Sequence, residues 1–374
     1  MSTEGLIGSA AGGALWDSRL VMQYLRRRWV RALERALDEI HDSGSAEDLL
    51  AFIGKNLPEL TQTPRPWKPG LGRFLLNEKT DVGAFVQVAL QCCASGGLGS
   101  WRCRLDEDVI GYFDLHPLRL SGSVCCVSEP DAVTLTCETR GQTRAPIRFI
   151  RQRDGWVNGE NEPPQSCVTA SEVSCRILHS DLFVAQLVAD QQPSHTALPE
   201  LAATLAESLE AIGRHAPLLL RWIAEVLAGI AFVAPVRRAT GSGSVNSLPG
   251  LIWVTHPIDP DELAVLIVHE CSHQYFFALS DAVDLVISSS TEHHYSPFKK
   301  TKRPLLNVML ALHAAVNMSS YVRTALEDGR KSEFLRQEME TLSRDIVRMS
   351  ESVEASMELT DPGKQFLQHL RRLT

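Results

Sequence analysis

The spacing of apolar residues predicts helices towards both ends of the chain. Apolar side chains recur every three or four positions, as on a helix with one face against a core. A second helix is expected to start at the Ser45 cap, with Glu47 and Asp48 in its first turn. The other predicted helices span residues 15–40, 81–90, 198–212, 216–233 and 305–322. The Pro-rich segment at residues 61–72 predicts a loop.

The middle of the chain has a different pattern. Short runs rich in Val, Cys, Thr and Ile, separated by Gly, Pro and Asp, occupy residues 122–127, 132–137 and 146–152. Such runs predict an antiparallel sheet joined by hairpins, and residues 156–161 are expected to form a turn beyond it. The predicted fold class is therefore α+β, mostly helical with a central antiparallel β segment.

A strand and a helix are predicted next to each other in the C-terminal half. Residues 251–255 read as a short strand, and the apolar run 263–279 follows as a helix. Asp259 is a suitable N-cap for that helix and Pro260 suits its first position. A strand followed closely by such a helix resembles the order found in zincin-like metallopeptidase folds.

Composition and charge narrow the range of partners. The net charge of -8 argues against nucleic acid, because phosphate binding needs a positive surface. The cluster Arg26-Arg27-Arg28 lies within an amphipathic pattern and is interpreted as the solvated side of a helix. Nothing resembles a signal peptide or a membrane span, and the nine cysteines, an odd number, favour reduced thiols. We therefore expect a cytoplasmic protein.

The predicted helix over residues 263–279 carries the motif His269-Glu270-Cys271-Ser272-His273. Residues four apart lie on one face of a helix, so His269 and His273 can direct two imidazoles to one metal ion. Glu270 then lies at a neighbouring edge. The motif predicts a metal site that needs a third ligand.

Two kinds of chemistry remain open from the residues alone. In a zinc peptidase, Glu292 would be the third ligand and Glu270 would activate a metal-bound water as general base. In an oxygenase, His313 would complete the site, although a lone histidine on an apolar helix is more often a core residue. His293 is a further candidate ligand.

Several segments together resemble the α-ketoglutarate-dependent, His-Glu-x-x-His-type peptide β-hydroxylases, which modify ribosomally made peptides. The resemblance covers roughly residues 244–374. Phe298 stands where this family commonly has Trp, and His293-His294 adds imidazoles near the expected site. The segments that carry the resemblance are Ser247-Leu248-Pro249-Gly250, the motif with Gln274-Tyr275, Tyr295-Ser296-Pro297-Phe298, Arg303-Pro304 and His313-Ala314-Ala315.

The resemblance implies a cofactor set and a reaction. The expected cofactors are Fe(II), α-ketoglutarate (2-oxoglutarate) and O2, and the expected reaction is hydroxylation of a β-carbon in a precursor peptide. Glu270 would orient a ligand or a bound water rather than act as an essential base. The implied metal ligands are His269, His273 and His313, and the implied cofactor-binding residues are Arg303 and Ser296. A guanidinium suits this role because it pairs with a carboxylate at two points.

The sequence also suggests two regions. Residues 196–374 are expected to form the catalytic region and residues 1–195 a helical and β region. Residues 1–195 are either a platform that recognises the precursor peptide by strand addition or a scaffold alone.

Overall fold

The structure is a computed structural model that describes most of the chain. The described residues are 7, 19–39, 46–61, 82–139, 142–152, 155–159, 167–170, 172–178, 191–235, 241–256, 258–289 and 291–374. They form an α+β fold of helices, one antiparallel sheet, one mixed sheet and a hairpin. This confirms that the fold is α+β with a central antiparallel segment, while the zincin-like metal helix stays a prediction.

The N-terminal part packs two helices, Glu47–Thr61 and Val82–Ala94, against an antiparallel sheet, while the helix Arg19–Glu39 contacts the helix Pro260–Ala282. Every residue from 83 to 93 of the third helix is buried, which explains why its sequence is apolar on all sides. On β1, buried Trp101, Cys103 and Leu105 alternate with exposed residues, as expected for a strand with one face on a core. The helices are α1 (Arg19–Glu39), α2 (Glu47–Thr61) and α3 (Val82–Ala94). The strands are β1 (Gly99–Phe113), β2 (His116–Ser128), β3 (Ala132–Thr139), β4 (Gln142–Thr143), β5 (Ile147–Gln152) and β6 (Gly155–Asn158), in the order β1-β2-β3-β5-β6 with β4 on β3.

A second sheet joins the two halves of the chain. Strands β8, β9 and β11 are parallel in its centre, and β7 and β10 are antiparallel at its two ends. The proposed region boundary near residue 195 therefore lies between β8 and β9 of one sheet. Its strands are β7 (Cys167–Ala170), β8 (Val173–Leu178), β9 (Gly229–Val233), β10 (Ser242–Ser244) and β11 (Leu251–Thr255).

Helices and one hairpin make up the rest of the C-terminal part. The helices are α4 (Leu198–His215), α5 (Pro217–Val226), α6 (Pro260–Ala282), α7 (Leu305–Glu327), α8 (Glu333–Glu354) and α9 (Asp361–Arg371). The hairpin of β12 (His293–Ser296) and β13 (Thr301–Pro304) lies between α6 and α7 in the chain.

Two sequence predictions are wrong. Residues 216–233 do not form one helix, because α5 ends at Val226 and residues 229–233 form the buried strand β9. A strand paired on both sides and covered on both faces is apolar throughout, so it lacks the alternation that marks a strand in sequence. The turn predicted at 156–161 begins with strand β6, which pairs with β5. Ser45, residues 62–72 and residues 160–161 lie outside the described residues.

Helices α6 and α7 pack side by side in opposite directions. Near the start of α6, the Asp261 carboxylate pairs with Arg330, which follows α7, at 2.9 Å. Further along α6, His269 contacts Met318, and Phe276 lies 6.1 Å from His313 between ring centroids. Residues further along α6 therefore contact residues earlier in α7. His273 lies between the α6 residues His269 and Phe276, so it is at about the height of His313 along the helix pair.

Helix α7 is apolar because it is part of the core. Among the described helices, it is the one that is long and apolar enough to cross a membrane by length and composition. In the structure, 78% of its most apolar 18-residue window is buried by other parts of the protein. A core helix has this combination of properties.

Gly363 offers a test of how α9 packs. A Cβ at this position would overlap the backbone carbonyl of Leu285, whereas a Cβ at Gly54 in α2 would meet nothing within 4 Å. Gly363→Ala should therefore lower the free energy of unfolding by about 1–3 kcal/mol. The matched control Gly54→Ala should raise it by about 0.5–1 kcal/mol, because alanine is the better helix former. Urea unfolding followed by circular dichroism measures both, and equal midpoints for the two variants would contradict the packing described.

Candidate functional site

The two motif histidines are set by a well-capped helix. The Asp259 side chain accepts a hydrogen bond from the Asp261 backbone N–H at 2.9 Å, and Pro260 occupies the first turn, as predicted. Ten and fourteen residues after the cap, His269 and His273 lie on one face with ring centroids 4.4 Å apart and ring planes at 73°. The structure therefore brings these two imidazoles together.

Both imidazoles are kept neutral by their surroundings. Burial lowers the pKa of His273 well below its ordinary value. The neighbouring imidazoles of His269 and His313 and the cations Lys299 and Arg303 lower it further, because each disfavours a positive charge on His273. Burial also lowers the pKa of His269, with the Glu270 carboxylate opposing the shift and Lys299 adding to it. Neutral imidazole is the form that binds a metal ion.

His273 has a buried polar atom that its surroundings do not satisfy. Its Nδ1 makes no hydrogen bond with the described part of the chain. His269, in contrast, directs Nδ1 to the Met318 sulfur of α7 at 3.1 Å. Buried polar atoms are usually satisfied, so the Nδ1 of His273 is a position where a ligand is expected.

The third predicted histidine, His313, lies on α7 in an aromatic environment. Its ring centroid is 5.4 Å from that of Phe366, 6.1 Å from Phe276 and 6.2 Å from Trp222. The side chain is fully buried and close enough to contribute to the lowered pKa of His273. In the described parts of the chain, however, no three His, Cys, Asp or Glu side chains converge closely enough to hold a metal ion.

Glu270 is held away from solvent by two serine hydroxyls. Ser242 donates to its Oε1 at 2.6 Å and Ser244 donates to its Oε2 at 2.8 Å. The carboxylate is 1% exposed, and its Oε1 lies 3.8 Å from the Nε2 of His269. Both carboxylate oxygens therefore have protein partners, and both partners belong to strand β10.

The alternative third ligands have other partners. The Glu292 carboxylate accepts a hydrogen bond from Ser356 at 2.5 Å and lies 2.9 Å from the Nε2 of His294. The Nδ1 of His293 lies 2.9 Å from the backbone carbonyl of Thr291, in an exposed position. Neither side chain is grouped with the two motif histidines.

The β12–β13 hairpin places a cation and a hydroxyl near the motif helix. Arg303 is half-buried and pairs in register with His294, and no carboxylate in the described residues forms an ion pair with it. Ser296 is fully buried, and its Oγ has no hydrogen-bond partner there. Phe298, in the turn, lies 6.4 Å from His269 between ring centroids. The predicted cofactor-binding residues therefore lie on one hairpin beside the site.

Sequence reasoning missed several residues of this site. Ser242 and Ser244 lie in a Gly- and Ser-rich segment that predicts no strand, although their spacing of two places both hydroxyls on one face of a strand. Asn317 was also missed. It is one turn after His313 and fully buried, and its Oδ1 has no hydrogen-bond partner among the described residues. Its position four residues after His313 was the available signal.

Comparison with known proteins identifies no family for this chain. No protein-family model matches it, and no curated protein sequence matches it. The similarity to the peptide β-hydroxylases therefore stays a prediction based on the motif residues.

The hydrogen bonds to Glu270 predict a loss of stability when they are removed. Ser244→Ala should lower the free energy of unfolding by about 1–3 kcal/mol, because a buried carboxylate oxygen is left without a donor. The control Ser343→Ala, an exposed position on α8, should change it by less than about 0.5 kcal/mol. Urea unfolding measures both variants. In a Glu270→Ala background the cost of Ser244→Ala should largely disappear, and a cost that persists would assign it to another contact.

Proposed function

We propose that this protein is an Fe(II)- and 2-oxoglutarate-dependent oxygenase that hydroxylates a β-carbon in a ribosomally made peptide. The observation that carries the proposal is the position of Arg303. This half-buried guanidinium has no carboxylate partner in the described residues, and its charge acts on the motif histidine His273. A carboxylate cosubstrate would pair with it at two points.

The donor set suits iron in part. His269 and His273 present two neutral imidazoles side by side. The buried Nδ1 of His273 makes no hydrogen bond with the described residues. Three nitrogen donors with open positions are suited to non-haem Fe(II). We assign His313 as the third ligand because it lies on α7 at the level of His273. This assignment requires its side chain to turn from the aromatic environment towards His273, since the three rings do not converge in the structure.

Bound Fe(II) and 2-oxoglutarate would supply the oxidising chemistry, with release of succinate and CO2. The residues of the chain would position the reactants and limit the access of water. Arg303 and Ser296 would hold the cosubstrate carboxylate, while Phe298 and Met318 border His269 with apolar surface. Glu270, fixed by Ser242 and Ser244, would orient the neighbouring His269.

A zinc peptidase remains the second candidate, because Glu270 Oε1 lies 3.8 Å from the Nε2 of His269. Two observations make it the weaker one. Both oxygens of Glu270 already accept hydrogen bonds, and the carboxylate of Glu292 is engaged with Ser356 and His294. The peptidase would therefore lack a free general base and its expected third ligand.

A metal and product assay separates the two functions. Protein reconstituted with Fe(II) without air should bind 2-oxoglutarate with a visible charge-transfer band, and should release succinate once O2 is admitted. Zinc-loaded protein should cut no peptide. Peptide cleavage with zinc, together with no succinate from the iron form, would overturn the proposal in favour of the peptidase. Glu270→Gln adds a second test, because a peptidase would lose several orders of magnitude in rate.

The N-terminal sheet offers a strand edge at which the substrate could bind. Strand β6 is at one end of the antiparallel sheet and no described strand pairs with its outer edge. It could accept part of the precursor peptide by strand addition, as the sequence suggested. Binding that is unchanged after deletion of the leader segment of a precursor would remove this role.

A further inference from the structure

The β12–β13 hairpin carries a dense group of positive charges. Lys299, Lys300, Lys302 and Arg303 fall within five consecutive positions of a chain whose net charge is -8. The three lysines are exposed, and none forms an ion pair or hydrogen bond through its side chain with the described residues. The three lysines, with Tyr295, are called the basic hairpin surface below. Within the described part of the chain no carboxylate pairs with these lysines, so the surface favours an anionic partner.

This surface borders the two motif histidines. The hairpin turn places Phe298 against His269, with 6.4 Å between ring centroids, and Lys299 is the next residue. The positive charge of Lys299 contributes to the lowered pKa of both His269 and His273. A partner held by the hairpin would therefore extend directly to the candidate site.

Apolar side chains accompany the charges. Tyr295 is 48% exposed and pairs in register with Lys302, so the two side chains leave the same face of the hairpin. Leu306, in the first turn of α7, is 37% exposed. An aromatic ring and an aliphatic side chain among cations form a surface that packs against side chains as well as pairing with charges.

We propose that the basic hairpin surface binds an acidic segment of the substrate peptide. Carboxylates of the peptide pair with Lys299 and Lys302, and a side chain of the peptide packs on Tyr295. The acidic residues lie a few positions from the reactive residue, because Lys302 leaves the hairpin face opposite to Arg303, whereas the turn at Lys299 adjoins His269 and His273. This inference rests on the proposed function for its reactive residue, but not for the binding itself.

A peptide fits this surface better than a nucleic acid. The cations occupy one short hairpin, and the remainder of the chain is acidic enough to repel a long polyanion. A peptide presents a few carboxylates and side chains over a distance that two strands of four residues can match.

Binding of a labelled peptide tests the inference without iron or 2-oxoglutarate. The probe is a fluorescein-labelled octapeptide of alternating Glu and Leu, measured by fluorescence anisotropy at low ionic strength. The comparison peptide has Gln in place of Glu. We expect the Glu peptide to bind and the Gln peptide to bind at least about tenfold more weakly, with the difference reduced at high salt.

Charge reversal locates the binding surface. Lys299→Glu/Lys302→Glu should weaken binding of the Glu peptide by about tenfold or more. The control Lys331→Glu/Arg372→Glu makes the same change in net charge and should alter affinity by less than about twofold. Lys331 and Arg372 are exposed, and both lie near the far end of α7, where Arg323 donates to the Leu373 carbonyl. Lys300 is left unchanged because its φ of 51° is unusual for a side-chain-bearing residue.

Three outcomes would overturn the inference. These are equal loss of affinity in both double variants, equal binding of the Glu and Gln peptides, and tighter binding of a twelve-nucleotide single-stranded DNA than of the Glu peptide. Failure of the proposed function gives a different result. In that case the acidic peptide binds the hairpin, while the iron-loaded protein releases no succinate.

Discussion

Replacing His273 with alanine should remove iron binding and 2-oxoglutarate turnover together. The variant loses one of two adjacent neutral imidazoles, and the remaining proposed ligands, His269 and His313, hold the ion much more weakly. Iron affinity should fall by more than about 100-fold. Loss of a residue that only supports a metal ligand costs up to about 100-fold in affinity, and loss of the ligand itself should cost more. Equilibrium dialysis with Fe(II) under argon measures the affinity, and succinate release measures turnover. The control His293→Ala removes an exposed imidazole and should leave both unchanged.

The same measurements decide the role of His313. The side chain is surrounded by the rings of Trp222, Phe276 and Phe366, so phenylalanine should fit this environment with little loss of stability. If His313 is a ligand, His313→Phe stays folded but loses iron affinity as His273→Ala does. Unchanged iron affinity in a folded His313→Phe protein would show that His313 is a core residue, and the three-histidine assignment would be wrong.

Replacing Arg303 should weaken cosubstrate binding more than any other change on the hairpin. Arg303→Gln is expected to raise the KM for 2-oxoglutarate by about 100-fold or more, because one partner of a half-buried charge pair is lost. Arg303→Lys keeps the charge but not the planar two-point geometry, so its KM should rise by about tenfold. Steady-state succinate formation at varied 2-oxoglutarate concentration measures these effects.

Lys302→Gln is the matched control for Arg303. It removes a neighbouring cation that is exposed, and the KM should change by less than about twofold. Iron affinity should be the same in all three variants, since none of them changes a histidine. If the KM of Arg303→Gln for 2-oxoglutarate equalled that of the unchanged protein, Arg303 would not bind the cosubstrate. The oxygenase proposal would then lose its main support.

Local features of the fold were predictable because they depend on short stretches of sequence. The start of α6 at Asp259 and Pro260, the helical course of α7 and the alternating strand β3 follow from capping and periodicity. Strand β9 was missed because its environment, with parallel partners on both sides, is made by residues far away in the chain. Ser242 and Ser244 became strand residues through pairing with β11, which a local pattern of Gly and Ser does not reveal.

The candidate site shows the same limit. Helical spacing fixed that His269 and His273 share a face, and the structure agrees. Spacing could not fix which way His313 points, because its ring direction depends on Phe366 and Trp222 as well as on α6. The resemblance named Arg303 as the residue that binds the cosubstrate carboxylate, which stays a prediction. That no carboxylate of the described residues pairs with Arg303 depends on the three-dimensional structure and not on local sequence.

The candidate metal ligands lie on buried helices, whereas the basic residues lie on an exposed hairpin, so the two groups differ in how readily they can be substituted. The histidines lie on α6 and α7, where most neighbouring residues are buried and a substitution disturbs the packing of the core. The lysines lie on a connecting segment where substitutions cost little stability. Under the proposed function, selection could therefore change which peptide is bound through a few substitutions at exposed residues. The hairpin is where we expect the sequences of related proteins to diverge first.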